Sequence, residues 1–414
     1  MSILSVYDMV PREKLALNGV FISAAIATAT LSGPLLAGAI TLRSTWRWIF
    51  YLNAPAGALA IGLLLVGIPS GFGTSSRKGG RREKFSWRSL GRLDYVGAIL
   101  LLAASLLLVT ALQQTALDFA WSSPAIITML VLSGLSWIAF FAWEWHVTAR
   151  ADDSNTTITM SESENQVEPI FPWRFLRSRP WVGMLLITFG VGGPFNVAIV
   201  YLPQRLQAVS SFSVLDAGVR VIPFAVSGAL SSALANFICS RAKVPPLYFL
   251  LFGSGLTTLG NALLSTLPVD STSFPGEGYA YMAITAAGIG ATFGILVLAT
   301  PFMVEARDLA VATGATIQFR ALGGAIGVSI AGNILNSQLR DHLLDGRVLS
   351  PDDLAALLVN TNVIYRLDAG QQTVVRNVFS GAYRLQFRAM LAFSGAQILA
   401  SLLLIKRGRQ IRAA

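Results

Sequence analysis

The chain has 414 residues, 54% of them hydrophobic and 13% charged, with a mean hydropathy of +0.61 and a formal net charge of +10. An ordinary soluble domain is about 25% charged, so water is not the main solvent of this chain. One cysteine, Cys239, and two histidines, His146 and His342, exclude a disulfide framework and a Cys/His metal site and leave little for imidazole catalysis.

Residues 1–16, MSILSVYDMVPREKLA, lack a basic start followed by a long apolar core, so they read as a cytosolic segment and not as a cleavable leader. Beyond them, apolar runs long enough to cross ~30 Å of hydrocarbon at ~1.5 Å per residue predict ten helices. They fall at 17–40, 47–68, 94–113, 124–146, 182–203, 214–239, 246–267, 279–303, 311–336 and 385–405. The runs are continuously apolar and do not alternate at period two, which rejects an outer-membrane barrel. The expected fold class is therefore an all-α polytopic membrane protein. Four spans occupy 17–146, a polar cytosolic linker 147–181, six further spans 182–405, and a basic cytosolic tail 406–414.

Lys and Arg are retained on the cytosolic side of a membrane. With the N-terminus cytosolic, the connections on that side carry 20 Lys and Arg against 8 on the other, which places both termini in the cytosol. The same asymmetry accounts for a pI near 10.1 without nucleic acid, because the basic residues are not gathered on one soluble face among aromatics. Three connections are long. Residues 69–93 are rich in Gly, Ser and Arg and read as a solvated loop; 147–181 contain DDSNTTITMSESENQ, too polar to order itself by burial. The third, 337–384, lies outside, and PDDLAALLVNTNVIYRL within it predicts short amphipathic helices over the bundle mouth.

Enzyme signatures are missing. No G-x-x-x-x-G-K-[ST] argues for ATP and no H-E-x-x-H for zinc, so no enzyme, cofactor or metal is expected. Polar groups inside spans are costly and therefore informative. Arg320, in GATIQFRALGGAIG, lies some nine residues into its predicted span. Two readings stand: with Gln318 and Asn333 it lines a polar substrate pathway, or it snorkels to the cytosolic interface. Asn196, beside GVGGPF, joins the pathway candidates, whereas Gln113, Gln114, Asn236 and Gln397 read as interhelical hydrogen-bonding groups. Asp94, Glu144, Asp216 and Glu305 fall at predicted span ends, so no deep titratable carboxylate is expected. Ala25, Ala29, Gly33 and Ala37 recur every four residues, and Gly290/Gly294 and Gly323/Gly327 form GxxxG pairs that admit close helix approach. Gly33-Pro34 in LSGPLLAGAI, GGP at 192–194 and VIPF at 221–224 point to bent helices, a device of transporters.

ATATLSGPLLAGAI followed by STWRWIFYLNAPAGALA resembles the fifth and sixth spans of the major facilitator superfamily, in its fungal fourteen-span drug:proton antiporter branch. That branch carries G-x-x-x-G-P-x-x-G-G in its fifth span; Gly33, Pro34 and Gly38 match it, with Ala29 and Ala37 in place of two glycines. YLPQRLQAVSSFSVLDAGVRVIPF resembles the connection between the ninth and tenth spans, and FRALGGAIGVSIAGNIL the thirteenth. SVYDMVPREKLALNGV resembles the loop before the fifth span, so the chain reads as starting where four family spans should already have passed. The resemblance implies a monomeric, proton-coupled exporter of small amphipathic molecules (drugs, toxins or secondary metabolites) that rocks two helical bundles in the plasma membrane around a midplane site. The alternative is a non-transporting fragment or interaction protein of the same family.

Overall fold

The computed structural model describes scattered positions between 29 and 45 and then residues 47–67, 94–117, 119–157, 169–242, 244–269, 273–305, 308–344, 348–359 and 361–405. Among these residues there are helices and turns and no strands. In chain order the helices are α1 (Arg47–Gly67), α2 (Tyr95–Leu117), α3 (Pro124–Thr157), α4 (Arg179–Ala208), α5 (Val214–Arg220), α6 (Ile222–Ala242), α7 (Pro246–Leu264), α8 (Gly276–Met303), α9 (Leu309–Leu339), α10 (Pro351–Val359) and α11 (Ala369–Ser401). A single turn, Arg174–Arg177, precedes α4. Counting α5 and α6 as one run, nine of the described helices are long and apolar enough to cross a membrane. The expected span at 17–40 lies largely outside the described residues, as does the loop at 69–93.

Helices α4 to α11 form one bundle built on two apolar clusters. α4 packs on α9 and α11, α8 lies between α6 and α7, and α7 closes back on α11. Trp181, Met184, Ile187 and Leu202 of α4 are almost wholly buried, as are Met282 and Ile295 of α8. α2 and α3 pair with each other, and α2 docks on α9 from outside the bundle. α1 has no buried residue; its apolar character runs all round its surface, as suits a helix bathed in hydrocarbon.

Several boundaries differ from the sequence expectation for physical reasons. α3 continues through ADDSNTT to Thr157 instead of ending at 146. α4 reaches Ala208, which turns Arg205 from a loop residue into a helical one, 3% exposed, with its guanidinium 5.4 Å from the Phe274 ring centre. α4 is also unbroken at GGP, running through Pro194 and Pro203. VIPF does break its helix: the chain leaves α5 at Val221, two residues before Pro223, whose ring cannot fit against a preceding helical turn. α11 starts at Ala369, not 385, because Asp368 caps it; Gln371 reaches back to accept from the Asp368 backbone N–H at 3.3 Å. The extra turns place Phe379 and Tyr383 in a second apolar cluster with Leu339, Leu343, Leu354 and Ile364. The amphipathic segment thus folds as α10 and a 3-10 turn, Thr361–Arg366, with Leu354 and Leu357 packed inward.

Candidate functional site

The helices that carry Asn196 and Arg320, α4 and α9, cross backbone to backbone. A methyl group on Gly192 would overlap the carbonyl oxygen of Arg320, and one on Gly323 would overlap that of Phe189. Only hydrogen fits at these points, which is why both helices carry glycine where they meet. Asn196 sits one turn beyond Gly192, donates from Nδ2 to the Gly192 carbonyl at 3.1 Å, and lies against Gly324. Arg320, one turn before Gly324, directs its guanidinium over Phe293 of α8, 4.4 Å from the ring centre. A cation over an aromatic face is stabilised by the ring quadrupole, more so away from water. Arg320 lies about 16 Å along α9 from Leu309, at a helix crossing. The structure therefore brings Asn196 and Arg320 to one place and gives the arginine a protein partner there.

Gln318 and Asn333 go elsewhere. They are a little over four turns apart on the side of α9 that meets α2. Gln318 Nε2 donates to Ser105 Oγ at 3.3 Å. Asn333 Nδ2 donates to the Leu112 carbonyl and to Thr115 Oγ1, both at 3.2 Å, and to its own Ser329 carbonyl at 2.9 Å. These two amides hold α2 against the bundle and do not join Arg320 and Asn196 in one continuous group. Of the remaining candidates, Gly38 is buried, and a methyl there would lie 3.1 Å from Leu215 Cα at the start of α5. Gly33 is exposed with open space around its α-carbon, and Pro34 lies outside the described residues.

Asp94 stands just before α2, at a span end as expected, yet two of the span-end carboxylates are enclosed by protein. Glu144 is fully buried and Asp94 is 3% exposed. Because α3 runs to Thr157, Glu144 is an interior residue and not a terminal one. The sequence does carry the signal: Trp137, Phe140 and Phe141 stand at i−7, i−4 and i−3 from Glu144, so the acid shares the face of the most aromatic stretch of its helix. Asp94 Oδ1 accepts from the backbone N–H of Gly97 and from Trp143 Nε1, each at 2.8 Å. Beside this pair, a cavity of about 590 Å³ opens between α2, α3, the 169–171 segment and the first half of α9, lined by Asp94, Trp137, Phe141, Phe171, Gln318 and Phe319. Below it, Arg174 grips Asp308 at the head of α9 through both carboxylate oxygens, Nε to Oδ2 at 2.8 Å and the second nitrogen to Oδ1. Phe171 stacks on Phe319 with ring centres 6.1 Å apart, so aromatic and ionic contacts together tie the linker to α9.

Comparison with known proteins places the sequence in a family. The model of the Major Facilitator Superfamily matches residues 1–328. The MFS-type transporter FPY5 of Fusarium mangiferae is 37% identical over 98% of this chain and 66% of its own length. Efflux pump hmp6 of Hypomyces subiculosus is 30% identical over 83% of this chain and 56% of its own. The chain thus spans between about half and two thirds of the length of these relatives. Among solved structures, an inward-facing bacterial homologue of the human lysosomal transporter Spinster is similar at 13% identity and a TM-score of 0.42, over 97% of this chain and 88% of that one.

Proposed function

The chain belongs to the Major Facilitator Superfamily, and on that premise we propose that it acts as a secondary active exporter of small amphipathic organic molecules in exchange for protons. It is a multi-pass membrane transporter and not an enzyme. The observation that carries the export reading is the α4–α9 crossing, where a charged side chain and an amide lie inside a helical bundle that spans the membrane. A charged group away from water is retained where it contacts a substrate or ion path. The printed name of the hmp6 relative, an efflux pump, supports the outward direction. Apolar cavities with few polar anchors accept ligands by shape, which favours a broad set of amphipathic substrates over one metabolite.

The excess of Lys and Arg on one side supports cytosolic termini; a plasma-membrane location and a monomeric state belong to the same proposal. Alternating access would change how the face around Gly38 meets α5. The test is dye efflux from cells expressing the chain. Wild type should clear amphipathic dyes faster than cells without it, and Arg320→Ala should alter the rate or the half-saturating dye concentration. An Arg320→Ala variant with wild-type kinetics would remove Arg320 from the substrate path.

A further inference from the structure

Asp94 and Glu144 pose a charge problem that the groups around them leave unanswered. The backbone N–H groups of Ile170 and Phe171 approach the Glu144 carboxyl group without reaching full hydrogen-bond geometry, and Asp94 Oδ2 has no partner among the described residues. The unpartnered oxygens converge: a methyl group on Gly97 would strike Asp94 Oδ2 while lying 3.0 Å from Glu144 Oε1. Among the described residues, the charged and titratable groups on the elements around the pair are few, and Arg150 of α3 is exposed. α2 contributes Tyr95, which lines the cavity. α3 contributes His146, exposed, with its ring 6.4 Å from that of Trp143. On the segment before α4, Arg174 is engaged by Asp308, and α9 presents neutral Gln318 to the cavity. No cation among the described residues faces the pair, and two neighbouring carboxylates out of water in such a setting do not both ionise. A proton between them converts two unpartnered acceptors into one donor and one acceptor.

We infer that Asp94 and Glu144 form a proton-binding pair, with the proton on Glu144 donated to Asp94 Oδ2, which exchanges that proton with the cytosolic side. The division of labour follows from the donors. Asp94 receives two well-formed N–H bonds on Oδ1, whereas Glu144, the more fully enclosed of the two, meets only the loosely placed Ile170 and Phe171 N–H groups and carries the proton. On release the Glu144 O–H bond breaks, the proton passes to water, and a second negative charge is left beside the first. Asp94 lines the 590 Å³ cavity, so water entering there reaches the pair from the side where the basic loops lie. The far wall of the cavity is α9, the helix that carries Arg320 on another face, so charge gained by the pair acts on the element that forms the α4–α9 crossing. The part played in exchange rests on the export reading above; the proton itself does not.

The test uses the full chain purified into lipid vesicles. Infrared spectra across neutral to alkaline pH read a protonated carboxyl group through its C=O band. Wild type is expected to keep such a band at neutral pH and lose it on alkalinisation. Glu144→Gln should abolish it, and so should Asp94→Asn, whose amide supplies the donor that Glu144 lacks. A wild-type spectrum without the band at neutral pH, or a band unchanged in Glu144→Gln, overturns the pair. In the same vesicles, efflux of ethidium and rhodamine dyes under an imposed pH gradient reads the exchange separately. A Glu144→Gln protein whose efflux no longer responds to the gradient supports the assigned role, and one that responds as wild type does overturns it. No gradient-driven efflux by wild type, with the band present, counts against the export reading alone and leaves the proton pair standing.

Discussion

The six-span bundle from α4 to α11 and the linker pair α2–α3 are both apolar helices, yet they are held by different means. Within the bundle, α4 and α9 meet backbone to backbone, Gly192 against the Arg320 carbonyl and Gly323 against that of Phe189. At the linker, α2 meets α9 through side chains: Ser105 with Gln318, and Thr115 and the Leu112 carbonyl with Asn333. The candidate window of α4 is 67% buried and that of α2 only 17%. Hydrocarbon offers no hydrophobic drive between helices, so association rests on close packing or on polar bonds. The bundle uses mainly the first. The α2–α3 pair uses the second, through contacts that form and break singly.

This contrast orders the expected effects of substitution. The largest belongs to the crossing: Gly323→Leu forces a branched side chain into the Phe189 carbonyl, where overpacking costs about 1–3 kcal/mol or more. It should lower the melting temperature in detergent and abolish efflux; a variant as stable as wild type would show that the close approach is not what holds the two helices. Next is Arg174→Ala, which strips the bidentate partner from Asp308, whose side chain is 8% exposed while that of Arg174 is 32% exposed. Leaving a buried acceptor unmet costs about 1–3 kcal/mol, reduced here by the partial exposure of the arginine. The loss should appear as easier proteolysis between α3 and α4, and an unchanged cleavage pattern would remove the ion pair from the linker latch. Asn333→Ala should cost about 0.6–2 kcal/mol, as for other interhelical hydrogen bonds, with Gln318→Ala at or below the lower figure because it loses one bond. Equal melting temperatures for both variants and wild type would mean that the linker is held by the aromatic cluster alone. The smallest expected difference lies in the first span: Gly38→Leu, facing Leu215, should reduce efflux, while Gly33→Leu, facing open space, should not. The reverse order of the two would place the functional face of that span on the other side.

The class of the fold, the family and most span centres were legible, because ~20-residue apolar runs and the sidedness of Lys and Arg are one-dimensional signals. Span ends were not. α3 runs on through polar sequence to Thr157, and α11 starts at Ala369 behind the Asp368 cap; hydropathy alone registers neither. The same blindness hid the carboxyl pair. Glu144 reads as terminal when its helix is stopped at 146, although its i−3, i−4 and i−7 neighbours, Phe141, Phe140 and Trp137, already place it on a packed face. Gln318, Arg320 and Asn333 were recognised as polar residues in a span, but which of them share a face with which partner depends on where α2 docks. No periodicity within α9 states that.

The most direct test of proton-coupled export is a counterflow experiment. Vesicles containing the chain and a trapped pH-sensitive dye hold an imposed proton gradient, and ethidium or rhodamine is added on the side from which it is exported. Exchange predicts that the dye accelerates collapse of the gradient only when the chain is present, and that accumulated dye in turn drives protons uphill. A gradient that decays at the same rate with and without added dye, across the panel, would contradict it.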